Sequence, residues 1–204
     1  MTQTPLSTWR WSRFRYEKLV ESGFFHDEHV ELIGGQLIVA EPQGTYHATV
    51  LTRVDLALRA VLPAGWFVRV QLPVSLDDDS APEPDLAVVQ GVPDDYLNAH
   101  PTAVPLVVEV ADSSLPFDRE VKISLYARGA VQEYWIVNVT ERTVEVYRDS
   151  QPDASTPSGA TYRSVRTVRP GDTVIPLALP STTVDVAAFF PVAERRGGAL
   201  RPRS

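Results

Sequence analysis

The chain of 204 residues contains no cysteine. Disulfide bonds and thiolate metal sites are therefore excluded. The chain is long enough to bury a sizeable hydrophobic core without such cross-links, and no internal repeat interrupts it. We predict a single domain over residues 1–193, followed over residues 194–204 by a basic, glycine- and proline-rich tail that is disordered.

Long apolar runs are also missing. No segment approaches the roughly 20 apolar residues that span a bilayer, and the first residues lack the apolar stretch of a signal peptide. We therefore expect a cytoplasmic protein that has no membrane partner.

Positive charge is scarce in this chain. It has 19 Lys and Arg against 26 Asp and Glu, a formal net charge of −7 at pH 7. Because binding to phosphates normally requires a basic surface, this balance argues against a strong nonspecific nucleic-acid binder. It does not exclude an enzyme whose metal ion neutralises its own acidic cluster. Lysine is especially rare: the chain has only Lys18 and Lys122, and all its other Lys and Arg residues are arginine.

One carboxylate lies where an apolar side chain is expected. Glu109 interrupts the run Leu106–Ala111, which is otherwise typical of a strand buried on both faces. Burying this carboxylate unpaired is costly, so we expect a metal ion or a lysine beside it. If its partner is absent without metal, Glu109→Gln should leave the metal-free protein at least as stable as the wild type.

A second carboxylate begins a neighbouring apolar segment. Asp85 opens a predicted strand over residues 85–89. The two prolines before it, Pro82 and Pro84, keep the approach extended and so fix the direction in which the carboxylate points.

A lysine follows on a predicted helix. The spacing of Val121 and Leu125 predicts a helix over residues 117–128 that ends at Gly129. Lys122 borders its apolar face, and Tyr126 follows one helical turn later. Because the chain uses arginine almost everywhere else, this lysine indicates a need for a compact point charge.

Together, Asp85, Glu109 and Lys122 suggest a site for a hard cation with a positive charge to orient water. Such a site suits metal-assisted hydrolysis of phosphodiesters. Each residue also has an ordinary structural interpretation. Asp85 could simply start a strand, Glu109 could pair with an arginine, and Lys122 could lie along the surface of its helix.

These residues form part of a longer pattern, which comprises Pro84-Asp85, Glu109-Val110-Ala111, Lys122, Tyr126 and Glu133-Tyr134-Trp135. The pattern resembles the restriction-endonuclease-like superfamily with its PD-(D/E)xK motif. Within that superfamily it is similar to a widespread family of endonucleases, from about Glu31 to the strand after Gly171. One position departs from the motif, because Ala111 stands where the superfamily has lysine. Members of the family carry the lysine on the following helix, which matches Lys122.

The resemblance implies an endonuclease that hydrolyses DNA with Mg²⁺ or Mn²⁺. The ion would be held by Asp85, Glu109 and the backbone carbonyl of Val110. The residues implied as catalytic are Asp85, Glu109, Lys122 and Glu31, of which Glu31 completes the acidic cluster. His47 and Tyr126 would support them.

A further candidate is Gln71. Clean alternation over residues 66–76 predicts a strand, in which Pro73 indicates an edge or a bulge. Gln71 lies on the polar face of that strand, which would point either to the site or to solvent.

The fold we predict is α/β, or α+β by stricter usage, with a mixed central β-sheet flanked by helices. Helices are expected over residues 46–62, capped by Thr45, and over residues 117–128 and 184–190. Two hairpins are expected, one around Gly34-Gly35 and one around residues 140–142, and short strands over residues 162–168 and 173–175.

The N-terminal segment, residues 8–23, interleaves aromatic and basic side chains. Such a pattern can stack on nucleic-acid bases, but it is more typical of a short amphipathic helix that covers a core edge, here over residues 16–22.

Two other classes of function stay open. The chain could be a catalytically inactive module that binds nucleic acid or protein, which its net charge favours. It could also be a structural homodimer whose edge strands pair.

Overall fold

The structure, a computed structural model, describes residues 8–26, 28–39 and 42–192. The predicted disordered tail over residues 194–204 lies outside these residues. Within the described ranges, no helix is both long and apolar enough to cross a membrane.

A mixed six-stranded sheet forms the centre of the fold, as predicted. A separate hairpin precedes it, formed by β1 (Val30–Ile33) and β2 (Gln36–Val39). The central sheet has the order β3-β4-β5-β6-β7-β8. Its strands are β3 (Trp66–Val70), β4 (Leu86–Gln90), β5 (Leu106–Ala111), β6 (Glu133–Asn138), β7 (Thr143–Pro152) and β8 (Ala160–Val168). All neighbours are antiparallel except β5 and β6, which run parallel. A last antiparallel pair joins β9 (Thr173–Val174) to β10 (Val184–Asp185).

The helices lie before the sheet and between its strands. They are α1 (Arg13–Glu21), α2 (Thr45–Val61), α3 (Leu115–Phe117) and α4 (Ile123–Arg128). A π-helical turn, Asp118–Lys122, connects α3 to α4 without a break. The helix expected over residues 117–128 is therefore present, but it starts earlier and contains a turn that the sequence pattern did not reveal.

The two faces of β5 are covered by different helices. Val108 and Val110 pack with the apolar side of α2, whereas Val107 and Ala111 pack with α4. Because side chains alternate along a strand, Glu109 points to the α4 face together with Val107 and Ala111. The strand is buried on both faces, as its apolar composition indicated.

Three local predictions were wrong. The strand expected over residues 66–76 ends at Val70, because Gln71 adopts a positive φ of 49° that turns the chain. Thr45 is the first residue of α2 rather than its cap, a position that Gly44 occupies. The segment 184–190 starts as strand β10, and only Val186–Phe189 forms a short 3₁₀-helix.

The strands β3 and β8 are the two edges of the central sheet. Each of them has one side without a strand neighbour in the sheet. Pairing of such edges between two copies of the chain stays a prediction.

Candidate active site

A cleft of about 910 Å³ opens on the α4 side of the sheet, between the hairpin β1–β2 and the π-helical turn. Seven carboxylates and one lysine line it: Glu28, Glu31, Glu83, Asp85, Glu109, Asp112, Asp118 and Lys122. The cleft thus carries an excess of negative charge around a single ammonium group.

Asp85, just before β4, accepts hydrogen bonds from three donors. The backbone N–H of Val110 donates to Oδ2 at 2.8 Å, and Gln43 and Gln71 donate to Oδ1 at 3.2 and 3.3 Å. His47 lies 3.5 Å from Oδ2. Burial alone would raise the pKa of Asp85, but His47 and the Val110 N–H outweigh it and lower that pKa. The carboxylate is therefore ionised at neutral pH.

Glu109 receives three hydrogen bonds. Lys122 Nζ donates to Oε1 at 2.8 Å, Tyr126 Oη donates to the same atom at 2.6 Å, and the Asp85 N–H donates to Oε2 at 3.3 Å. This confirms that a positive group lies beside the buried carboxylate. Because the partner is a lysine that is present without metal, the expectation that Glu109→Gln is harmless to the metal-free protein rested on a wrong premise.

Burial raises the pKa of Glu109 to about 8, although the charge of Lys122 acts in the opposite direction. The neighbouring carboxylates of Asp85, Asp118 and Glu31 add to the increase. A second positive charge in the cleft would lower this pKa again.

The π-helical turn directs Lys122 to Glu109. The Ile123 N–H donates to the carbonyl of Asp118, five residues earlier, which widens this turn of the helix. Both Asp118 and Lys122 are buried as a result. The ammonium also lies 3.8 Å from Glu31. Burial favours the neutral amine, but the charges of Glu109, Glu31 and Asp118 raise the pKa of Lys122, so it stays protonated.

Four carboxylates of the cleft were not predicted as site residues, namely Glu28, Glu83, Asp112 and Asp118. Glu83 lies between the two prolines before Asp85, and its N–H donates to Glu31 Oε2 at 3.1 Å. Asp118 accepts a hydrogen bond from Ser114 at 2.7 Å. Burial raises the pKa of both. The only sequence signal for Asp118 is its place four residues before Lys122, and such an acidic residue in a first turn is also expected of any ordinary helix.

The structure brings all the predicted side chains to one place. Glu31, His47, Gln71, Asp85, Glu109, Lys122 and Tyr126 lie in or beside the cleft. Gln71 points to the site rather than to solvent, since it donates to Asp85. Gln43, which donates to the same carboxylate atom, was missed because a glutamine in a loop carries no distinguishing pattern.

The donors that could hold a metal ion are oxygens, the type that Mg²⁺ prefers. Asp85 and Glu109 supply carboxylates, and Val110, the residue after Glu109 in β5, supplies a backbone carbonyl. That carbonyl is 2.6 Å from His47 Nε2, which must donate to it. In the described part of the chain, no group of three or more His, Asp or Glu side chains forms a metal-binding cluster. A pair of carboxylates nevertheless fits Mg²⁺, because that ion usually keeps several waters and uses one or two protein carboxylates.

The chain is similar to known proteins in sequence and in fold. The architecture is that of a restriction-endonuclease-like fold, with a mixed sheet flanked by helices. Residues 15–187 match the Uma2 family, described as "Putative restriction endonuclease", and the chain belongs to that family. Among four matching chains of solved structures is a crystal structure described as a "putative nuclease belonging to DUF820" from Anabaena variabilis ATCC 29413. It has a TM-score of 0.62 and 18% sequence identity, and the match covers 80% of this chain and 90% of that one. No curated protein matches the sequence.

Proposed function

We propose that this protein is a metal-dependent endonuclease that hydrolyses phosphodiester bonds of DNA. Family membership supports a nuclease. The observation that carries the finer proposal is the set of contacts around the buried Glu109 carboxylate: the buried ammonium of Lys122 and the backbone N–H of Asp85 both donate to it beside an open cleft. Buried ionisable groups with shifted pKa values that line a cleft are typical of functional sites.

In this proposal, Asp85, Glu109 and the Val110 carbonyl hold Mg²⁺ or Mn²⁺. When bound, the ion supplies Lewis-acid polarisation of the scissile phosphate. A bound ion would also offset the charge of carboxylates that would otherwise repel the phosphate. A chain of net charge −7 could then accept DNA in this cleft.

Lys122 acts as a hydrogen-bond donor rather than as a base, since its carboxylate neighbours keep it protonated. Its ammonium orients the attacking water and stabilises the negative charge that develops on the phosphate. Tyr126 and Glu31 hold this ammonium and its partner Glu109 in position, and His47 positions Asp85 and the Val110 carbonyl.

The test is cleavage of supercoiled plasmid by purified protein with Mg²⁺ or Mn²⁺. Lys122→Ala should lower turnover about a hundredfold or more, because removal of one preorganised charge has effects of that order. Calorimetry should show that Lys122→Ala still binds the ion, whereas Asp85→Asn does not. Lys122→Arg should rescue poorly, because its planar group cannot replace a compact charge.

The matched control is Arg163→Ala, which changes an exposed basic side chain of β8 outside the cleft. Circular dichroism at the assay temperature shows whether each variant is folded. Equal cleavage by the wild type and Lys122→Ala would contradict the proposal, and would favour a binding module without turnover on the same fold.

A further inference from the structure

Two aromatic rings are exposed at the N-terminal helix. Trp9 is 67% exposed and Phe14 is 69% exposed, and neither belongs to a buried cluster. The sequence favoured a helix that covers a core edge. That is correct only for the opposite side of α1, where Tyr16 packs with Val30 and Leu32.

The helix is firmly attached, so these rings are not exposed by fraying. Tyr16 Oη donates to the carbonyl of Val30 at 2.6 Å. Arg13 Nε donates to the carbonyl of Asp77 at 2.9 Å, and the Trp11 N–H donates to Gly35 O at 2.9 Å. The outward side of α1 is therefore a fixed surface.

A cationic side chain lies over each exposed ring. The guanidinium of Arg15 lies 4.7 Å from the centre of the Trp9 ring, and Lys18 Nζ lies 5.9 Å from the centre of Phe14. Residues 8–22 contain four basic and two acidic side chains, whereas the whole chain has a net charge of −7. This segment is thus locally positive in an acidic protein, and its charge is complementary to a polyanion.

The helix α1 adjoins the cleft through the side that carries Tyr16 and Val20. A pocket of about 430 Å³ lies between α1 and the cleft, lined on the α1 side by Tyr16, Val20 and Phe25. Glu28, His29 and Glu83 line both this pocket and the cleft. A polymer in the cleft could therefore continue over the pocket to α1.

We propose that the face formed by Trp9, Phe14, Arg15 and Lys18 binds single-stranded nucleic acid. Unpaired bases stack on the two rings, while the two cations contact phosphates. Bases in a duplex already stack on one another, so exposed rings select an unpaired strand. The inference rests on the proposed nuclease function, since it describes a strand that leaves the cleft.

The experiment measures binding of a labelled 20-nucleotide DNA strand and of its duplex by fluorescence anisotropy. EDTA is present throughout, so that the unaltered protein cannot turn over. The single strand should bind more tightly than the duplex. Trp9→Ala and Phe14→Ala should each weaken binding about tenfold, the order expected for loss of one base stack. Arg15→Glu should reduce the slope of log K against log salt concentration by about 0.7.

Matched controls are Leu97→Ala and Arg163→Glu, which change an exposed apolar and an exposed basic side chain elsewhere. Both should bind as the wild type does. The oligonucleotide should also quench tryptophan fluorescence, and this quenching should be lost in Trp9→Phe, which keeps a ring for stacking and hence most of the affinity.

Wild-type affinity in Trp9→Ala and Phe14→Ala would overturn the inference, whether or not the protein cleaves DNA. If sedimentation instead shows a dimer that Phe14→Ala dissociates, and no strand binds, the face is a contact between copies and the inference also fails. Strand binding that depends on Trp9, in a protein that never cleaves, would support this inference and overturn only the nuclease proposal.

Discussion

Replacing Lys122 by methionine removes the one lysine that lines a cleft with seven carboxylates. The substitution keeps the length of the side chain and most of its apolar stem. The side chains of Lys122 and Glu109 are only 10% and 4% exposed. Removing one member of a buried ion pair typically costs about 3–5 kcal/mol, because the other charge is left without compensation. Since 1 kcal/mol shifts the Tm of a chain of this size by roughly 2–4 °C, we expect Tm to fall by about 6–20 °C at pH 8.

The stability lost in Lys122→Met should increase as the pH rises. In the folded wild type, the pKa of Glu109 is raised from its ordinary 4.5 to about 8. Between these values the unfolded chain binds fewer protons, so the stability that this group contributes is full below about pH 4.5 and is lost as pH rises through about 8. The charge of Lys122 lowers the pKa of Glu109, so this pKa rises further when Lys122 is replaced. The folded variant then continues to lose stability to a higher pH than the wild type does. The variant should therefore resemble the wild type most at pH 5 and least above pH 8.

The assay is thermal unfolding, followed by circular dichroism from pH 5 to 8.5 in EDTA. Lys18→Met is the control, because Lys18 is exposed and pairs with Glu21 on the surface. It should change stability by less than about 0.5 kcal/mol at every pH. A loss of equal size at pH 5 and pH 8.5 would contradict the argument, because it would show that the loss does not depend on the charge of Glu109. No loss at all would refute the ion-pair argument.

Three other substitutions test the buried carboxylates Glu109 of β5 and Glu133 of β6. Tyr126→Phe removes the 2.6 Å donor to Glu109 and should cost about 1–3 kcal/mol in urea unfolding; an unchanged midpoint would show that this bond contributes nothing. Glu109→Gln should flatten the decline of metal-free stability between pH 4.5 and 8, and a decline that persists would assign it to another group. Glu133→Gln weakens the pair between the buried Glu133 and the partly exposed Arg148 and should cost about 1–3 kcal/mol. Calorimetric metal affinity should not change, because Glu133 lies outside the cleft.

The central strands could be predicted from sequence because apolar composition and burial agree there. Glu109 stood out against the apolar run of β5, and the structure places a lysine beside it. The end of β3 could not be predicted in the same way. Alternation continues past Val70 in the sequence, but the positive φ of Gln71 bends the chain so that its amide reaches Asp85. The alternation of polar and apolar residues cannot reveal a turn that depends on a carboxylate far away in the sequence.

Glu83 and Gln43 are two further residues whose place in the cleft could not be predicted from the sequence. Both are polar residues in loops, where polar residues are the norm. They reach the cleft because the hairpin β1–β2 approaches β4, an association of segments far apart in the chain. Glu133 is the converse case, since it is a buried carboxylate in a strand, like Glu109, but it accepts from Trp135 and Arg148 and serves the fold. Burial of a carboxylate therefore did not by itself distinguish a site from a structural pair.

The displaced lysine follows from how β5 and the π-helical turn pack. Glu109 and Ala111 lie on the same face of β5, because side chains two apart share a face. Ala111 is buried among residues that include Tyr126 and Ile123, so the helical segment lies directly over that face. A lysine at position 111 would reach Glu109 from the strand, and Lys122 reaches it from the helix above a small alanine. Each residue turns an α-helix by about 100°. The side-chain direction of Lys122 therefore depends on the wider turn that precedes α4, and this turn brings the ammonium to Glu109.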